Sequence, residues 1–406
     1  MHDSYDSLET RTEDARAAAL AGALPRQIAA AQSLSGYAES LSSVVAGQVV
    51  DRAALADLPV LRKSDLMTRQ SAETPFGGLT ARPAGGFDRL FQSPGPIYEP
   101  ARTARDWWRL GRFLHAAGIG ADDVVQNCFG YHLTPAGHIF ENGADAVGAA
   151  VIPAGTGQTE LQVQAARALG ASAYAGTPDY LKVILEKAEA LGVALTITKA
   201  VVSGGALFPS LREWYSGRGV ACLQCYATAD LGLIAYETPA MEGMIVDEGV
   251  IVEIVTPGTG DLVPDGEVGE VVVTSLNPDY PLIRFATGDL SAVLPGLSSC
   301  GRSNMRIKGW MGRADQTTKI KGMFVRPEQV AAFVARVPGV ERARVVAARA
   351  GESDTMTVRV EAEAGDPAAL ADAARDVFKL GAEIDVVAPG TLPRDGVVIE
   401  DQRDYE

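Results

Sequence analysis

The chain has 406 residues, 47% hydrophobic and 21% charged, with 43 Gly and 22 Pro, a length and balance that predict a folded protein of two domains and exclude a disordered or fibrous one. Its 51 acidic and 36 basic residues give a formal charge of −15, a field that repels phosphate backbones and anionic bilayers, so no nucleic acid and no membrane are expected as partners. The opening MHDSYDSLETRTEDARAAALAG lacks a basic-then-apolar signal pattern, no apolar run reaches membrane-spanning length, and 4 cysteines make no disulfide framework, so the expected location is cytoplasmic.

Residues 13–34 are Ala-rich with helical spacing broken at Leu24-Pro25, which predicts two short helices. Residues 58–66, LPVLRKSDL, read as a Pro-led loop with Ser64-Asp65 as a helix N-cap. Residues 87–100, FDRLFQSPGPIYEP, run into prolines on both sides of a glycine and predict an irregular loop. That loop is a poor phosphate cradle, because proline removes backbone donors and no lysine follows. Residues 104–117 carry Trp107, Trp108, Leu110, Phe113 and Leu114 at helical spacing.

From there strand and helix patterns alternate: strand 124–130, helix 133–142, strand 149–152, helix 159–169, strand 171–175, helix 180–191, strand 200–202. This rhythm implies parallel strands with right-handed crossover helices, and ligands in such sheets sit at the carboxyl ends of the strands. At those ends stand Tyr131-His132-Leu133, Gly155-Thr156-Gly157, Gly176-Thr177-Pro178, Ser203-Gly204-Gly205 and Tyr226-Ala227-Thr228-Ala229-Asp230. Cys222 and Cys225 form a CxxC, but on a strand residues three apart face opposite sides, which favours burial over metal or redox chemistry. His2, His115, His132 and His138 show no metal-ligand spacing.

Residues 244–273 change to two-residue alternation with turns, an antiparallel meander or barrel. It leads into 281–322, PLIRFATGDLSAVLPGLSSCGRSNMRIKGWMGRADQTTKIKG. A carboxylate on a Gly turn, as in Thr287-Gly288-Asp289, can accept two hydrogen bonds from a vicinal diol such as a ribose, and Arg313 can grip phosphate; Gly-Asp is also ordinary turn chemistry. Beyond lie helix 326–334, strands 343–348 and 355–362, helix 367–379 and strand 383–387, a small α+β domain.

Residues 124–152, 226–230, 281–290, 312–327 and the near-terminal GTLPRDGVVIEDQR together resemble the phenylacetate-CoA ligase branch of the adenylate-forming enzymes. The resemblance implies an α/β fold: a large N-terminal domain, residues 1–314, with mostly parallel sheets flanked by helices plus a β-barrel-like part, and a small mobile α+β domain, residues 315–406. It implies ATP-dependent activation of an aromatic or similarly compact carboxylic acid to an acyl-adenylate and then an acyl-CoA thioester, with ATP/AMP, Mg²⁺ and coenzyme A. By this resemblance Ser203, Gly204, Gly205, Tyr226, Ala227 and Thr228 wall the adenine. Asp230 lies near Mg²⁺ as a catalytic and metal residue, Asp289 holds the ribose hydroxyls, and Arg313 contacts ribose or phosphate. Phe129, Tyr131 and His132 help form the acyl pocket, Tyr131 and His132 being readable also as a hydrogen-bonded structural pair, and Asp315 is the hinge. For the oligomeric state a homodimer is the commonest prior.

The chain departs from the family pattern in three places. The phosphate loop, rich in Ser, Thr and Gly and ending in Lys in the family, is Gln92 to Pro100 here, with Glu99 where a cation would help. Val397 follows Asp395-Gly396 where the family has its adenylation lysine, so Lys319, Lys321 or Arg394 must replace part of that charge. Glu237 and Met244 occupy the region where some relatives carry zinc ligands and only Cys300 remains, so no structural zinc is expected. The alternative is a degenerate member that binds AMP, acyl-adenylate or acyl-CoA without adenylating.

Overall fold

The computed structural model describes residues 4–314, 316–321, 323–350, 353–363 and 365–403. They fall into two units, the first made of Met1–Val252, Val273–Phe285 and Leu294–Trp310, the second of Glu253–Val272, Ala286–Val293 and Met311–Glu406.

In the first unit the expected alternation forms a sheet in which Ala150–Pro153, Val124–Asn127, Ala173–Gly176, Lys199–Val202 and Ala221–Thr228 are successive parallel neighbours. Gly232–Glu237, Met244–Val246 and Arg306–Ile307 then continue it antiparallel. The two-residue period sends alternate side chains to opposite faces. Val201 joins one buried cluster with Ile139, Phe140 and Ala144 of the helix Ala136–Val147, whereas Ala200 and Val202 join another with Val163, Leu181, Ile184 and Tyr215. Each fully buried Leu or Ile of this kind contributes about 1.5–3 kcal/mol relative to exposure. Cys222 and Cys225 fall in different clusters, free and buried, and burial pushes both thiols up to about 12. Thiols held protonated in this way are poor nucleophiles and poor metal ligands.

The structure differs from the sequence reading in four places. Residues 13–32 form one helix, Glu13–Gln32, that runs through Pro25. Leu24, Ile28 and Ala31 are fully buried along it and Gln27 Nε2 donates to the carbonyls of Ser275 and Asn277 at 2.8 Å each, so packing outweighs the cost of about 3 kcal/mol for an interior proline. The helix expected over 104–117 is confined to Gly111–Ala116, because Asp106 and Arg109 adopt positive φ. In that conformation Arg109 reaches Asp247 and the carbonyls of Leu231 and Leu233. The loop expected over 87–100 is a β-hairpin, Arg89–Ser93 paired with Ile97–Ala101, whose inner face buries Phe91, Ser93, Ile97 and Glu99. Finally, among the described residues the strands following 244 do not close into a barrel.

The N-terminal segment is anchored by a buried ion pair between Glu9 and Arg302, 2.5 Å apart and 2% and 5% exposed. Tyr236 donates its hydroxyl to the same Glu9 oxygen, and the Tyr5 N–H donates to the other at 2.6 Å.

The second unit contains a four-stranded sheet ordered Glu383–Val387, Ser353–Ala362, Val340–Ala350, Ile399–Asp401, with the middle pair antiparallel and the outer pairs parallel. The helices Pro327–Arg336 and Pro367–Phe378 pack on it through Phe333 and Phe378, whose rings lie 5.9 Å apart over Val345, Val358 and Val360.

Candidate functional site

The sequence-predicted residues fall in both units, and each set is described within its own. In the first unit the carboxyl end of Lys199–Val202 turns through Ser203, whose hydroxyl donates to the Cys225 carbonyl at 3.0 Å and ties this turn to the neighbouring strand. A Cβ on Gly204 would lie 3.8 Å from Phe129 and one on Gly205 3.4 Å from Pro178, ordinary van der Waals distances, so the turn packs beside both residues. Phe129 is buried and stacked on Phe140 at 4.3 Å. Asn127 organises the loop that carries it: Nδ2 donates to the Tyr131 hydroxyl and the Gly137 carbonyl at 2.8 Å each, and Oδ1 accepts from the Phe129 N–H. Tyr131 meets His138 edge-on at 5.0 Å, while His132 is exposed. Tyr131 and His132 are thus no hydrogen-bonded pair: Tyr131 is bonded to Asn127, and burial pushes its hydroxyl far above the usual phenol range.

The strand Ala221–Thr228 ends at Tyr226, buried, and at Thr228, whose hydroxyl accepts from the Leu231 N–H at 3.2 Å. The turn needs a glycine at 232, where φ is +70° and a Cβ would lie 2.8 Å from the Trp108 carbonyl. Inside this turn sits Asp230, and its partner is a residue the sequence reading passed over. Lys63 Nζ lies 2.6 Å from Asp230 Oδ2, with the lysine side chain 26% exposed and the aspartate side chain 0%. Glu99, on the inner face of the hairpin, is bonded to the Ser93 hydroxyl and electrostatically coupled to Asp230 and Lys63. Burial first, and the Asp230 charge second, push its carboxyl up to about 8. Glu99 Oε2, Asp230 Oδ1 and the Tyr280 hydroxyl are all buried without a hydrogen-bond partner, and burial first, then the two carboxyls, raise the Tyr280 pKa. Of the two buried carboxyls, Asp230 is bonded to the Lys63 ammonium and Glu99 to the Ser93 hydroxyl.

In the second unit Asp289 and Arg313 form an ion pair at 3.0 Å, the arginine side chain 57% exposed and the aspartate 11%. The backbone makes the pair: the Leu290 N–H donates to the Gly312 carbonyl and the Ala314 N–H to that of Gly288. Gly288 has φ +77°, and a Cβ there would stand 3.1 Å from Arg313 Nη2, so the guanidinium lies directly across the glycine. Thr287 donates its hydroxyl to the Val271 carbonyl and accepts from the Asp289 N–H, fixing the turn from below. Lys321 is exposed, its N–H on Asp354. Asp315 lies outside the described residues; its neighbour Gln316 donates to the Gly396 carbonyl and accepts from the N–H groups of Val398 and Ile399. Val397 lines a cavity of about 260 Å³ with Val330, Val334, Leu392, Arg342 and Arg344. Arg394 pairs with Glu267.

Glu237, in the region the sequence reading compared with zinc ligands, accepts at its two oxygens from Arg212 Nη2 at 2.9 Å each and from the N–H and side-chain amide of Gln224. That carboxylate is committed to an arginine.

No family model matches the chain. The fold is that of solved acyl-CoA ligases: 2-hydroxyisobutyryl-CoA ligase, in an open conformation with 2-HIB-AMP and CoA, aligns with TM-score 0.72 at 22% identity over 95% of this chain and 91% of its own. The same ligase in its postadenylation state with R3-HIB-AMP aligns as well, at TM-score 0.72 and 23% identity. Two curated relatives are phenylacetate-coenzyme A ligases. The one from Pseudomonas putida is 31% identical over 330 residues, 76% of this chain and 73% of the relative. The other, from Thermus thermophilus, is 29% identical over 324 residues, covering 76% and 72%. The chain belongs to the phenylacetate-coenzyme A ligase family of adenylate-forming enzymes.

Proposed function

We propose that this protein is an acid–CoA ligase: it activates an aromatic or similarly compact carboxylic acid with ATP to an acyl-adenylate and passes the acyl group to coenzyme A. The observation that carries the reading is Asp289 on its glycine turn with Arg313 laid across it, a diol-accepting carboxylate beside a phosphate-binding guanidinium, in a chain of this family. Asp289 accepts the ribose hydroxyls and Arg313 contacts ribose or phosphate. Ser203, Gly204, Gly205, Tyr226, Ala227 and Thr228 line the adenine, and Phe129, Tyr131 and His132 border the acyl group. Residues 315–406 form a small domain that turns about Asp315 between the half-reactions, bringing Lys321 to the acyl-phosphate. The protein works in the cytoplasm, as a homodimer.

Mg²⁺ fits poorly as an ion held by the protein alone. One Asp230 oxygen is on the Lys63 ammonium, and among the described residues no group of three or more acidic, His or Cys side chains is suited to a metal.

A second reading, binding of AMP, acyl-adenylate or acyl-CoA without adenylation, is favoured by the buried Glu99 on the hairpin and by Val397. Acid-dependent pyrophosphate release and AMP formation with CoA, across a panel of aryl acids, separates the two. Turnover with at least one acid is expected, and none across the panel sinks the first reading.

A further inference from the structure

Arg342 and Arg344, two residues apart on the strand Val340–Ala350, share one face of their sheet, and both line the cavity of about 260 Å³ in the second unit. Arg344 is 5% exposed. Its Nη2 donates to Asp395 and to the Pro393 carbonyl and its Nη1 to Glu400, yet its Nε, also buried, has no hydrogen-bond partner among the described residues. We propose that this cavity is a second binding site, for a compact apolar molecule with a neutral acceptor oxygen such as an amide or ester carbonyl, and that its occupancy slows turnover by holding residues 315–406 in place. The effect on turnover rests on the ligase reading above; the binding does not.

Lining, size and charge together select that ligand. Val263, Val268, Val330, Val334, Leu392 and Val397 supply an apolar surface. A cavity of about 150 Å³ lined by aliphatic side chains takes up benzene, so 260 Å³ has room for one ring with a short polar substituent. Arg342, Arg344 and Arg394 line it together with Asp261, Glu267 and Glu341, three cations against three carboxylates. Each guanidinium already has a counter-charge: Arg394 on Glu267, Arg344 on Asp395 and Glu400, and Arg342 at 3.9 Å from Glu361. A carboxylate would add a charge to this balanced set, whereas a neutral carbonyl satisfies the Nε donor and leaves the balance intact.

The walls give the occupant its effect. One wall is residues 256–268 and the other comes from residues 330–398. A Cβ on Gly258 would lie 2.8 Å from the Pro327 carbonyl and one on Gly396 3.0 Å from Val268, so the two walls are seated closely on each other. A ligand that touches both binds this arrangement and loses half its contacts when residues 315–406 turn about Asp315. It therefore shifts the population toward the unturned form.

The probe is N-methylbenzamide, one ring with one amide carbonyl, titrated by calorimetry into the full chain beside ethylbenzene, which lacks an acceptor, and benzenesulfonate, which carries a charge. The amide should bind wild type at least tenfold more tightly than either control, the worth of one hydrogen bond to a charged donor. Val334→Phe, which fills the cavity, and Arg344→Lys, which keeps the charge and removes the Nε donor, should each weaken it at least tenfold with the circular dichroism unchanged. In acid-dependent AMP formation the amide should lower kcat and leave KM for the acid unchanged, and Val334→Phe should escape this inhibition. The inference is overturned if the amide binds no better than ethylbenzene, which would leave the Nε donor to water, or if Val334→Phe leaves its affinity unchanged. It is overturned equally if the amide raises KM for the acid in wild type and Val334→Phe alike, which would put it in the acyl pocket. Binding that both variants weaken, with kcat unaffected, overturns the control of turnover. Wild type that binds the amide yet forms no AMP with any acid defeats the ligase reading alone, and the titrations still decide the cavity.

Discussion

The charged clusters of the two units, each taken within its own unit, solve the same electrostatic problem in opposite ways. In the first unit an ammonium covers a fully buried aspartate, with a second carboxyl, Glu99, buried alongside and three polar oxygens left without partners. In the second, Asp289 and Arg313 meet near the surface, held by backbone hydrogen bonds on a glycine turn. Buried charge that is only partly matched costs stability and makes each member depend on the others. An exposed pair on a rigid turn costs little and can exchange its partner for a ligand. The first arrangement is built into the fold, and the second is kept ready for exchange.

The largest effect expected is for Asp230→Ala, which leaves the Lys63 ammonium against buried surface without its counter-charge. Discounted for the lysine's partial exposure, the loss of stability should be about 2–3 kcal/mol, read by urea unfolding. A loss below about 0.5 kcal/mol would erase the contrast between the clusters. Glu99→Gln comes next and is read through pH. An unfolded glutamate titrates near 4.5 and Glu99 in the fold near 8, so between these values the folded form holds a proton the unfolded form lacks. Stability from this group is therefore fully present below about 4.5 and is lost as pH rises to about 8. Wild-type melting temperature should fall over that window relative to the glutamine variant, and parallel curves would remove Glu99 from the account. Smallest in stability is Asp289→Ala, expected to change it by less than about 1 kcal/mol while weakening AMP binding about 10- to 100-fold. The reverse pattern would make Asp289 a structural residue.

Much of this was legible in the sequence, for reasons that differ by element. The parallel strands were readable because apolar runs such as VVQN and KAVV recur with glycine and proline between them; Ser203 follows the carboxyl end of Lys199–Val202 as expected, whereas Tyr226 lies within the strand Ala221–Thr228. Asp289 and Arg313 were readable because a glycine turn and a loop arginine need only local chemistry. The hairpin was not: the prolines flanking Gly95 argued for a loop, yet Pro94 and Pro96 both lie in the turn itself, and Pro100 pairs with Leu90 near the hairpin's open end. Lys63 was hidden for another reason. Its partner Asp230 is remote in sequence, and Ser64-Asp65 drew attention to helix capping, although Asp65 makes no side-chain cap and Lys63–Asp65 form a 3₁₀ turn. Two adjacent basic residues at the start of that turn, Arg62 and Lys63, were the available signal.

Glu9 gives the chain a practical edge. Arg302 lies deep in the first unit and depends for its counter-charge on a residue ahead of the first helix, at Glu13–Gln32. Recombinant versions trimmed to that helix, or proteases that clip ahead of it, would strand a guanidinium in the interior and loosen Tyr236 beside it. For anyone choosing where to fuse an affinity tag or cut a fragment, the folded unit begins before its first regular element.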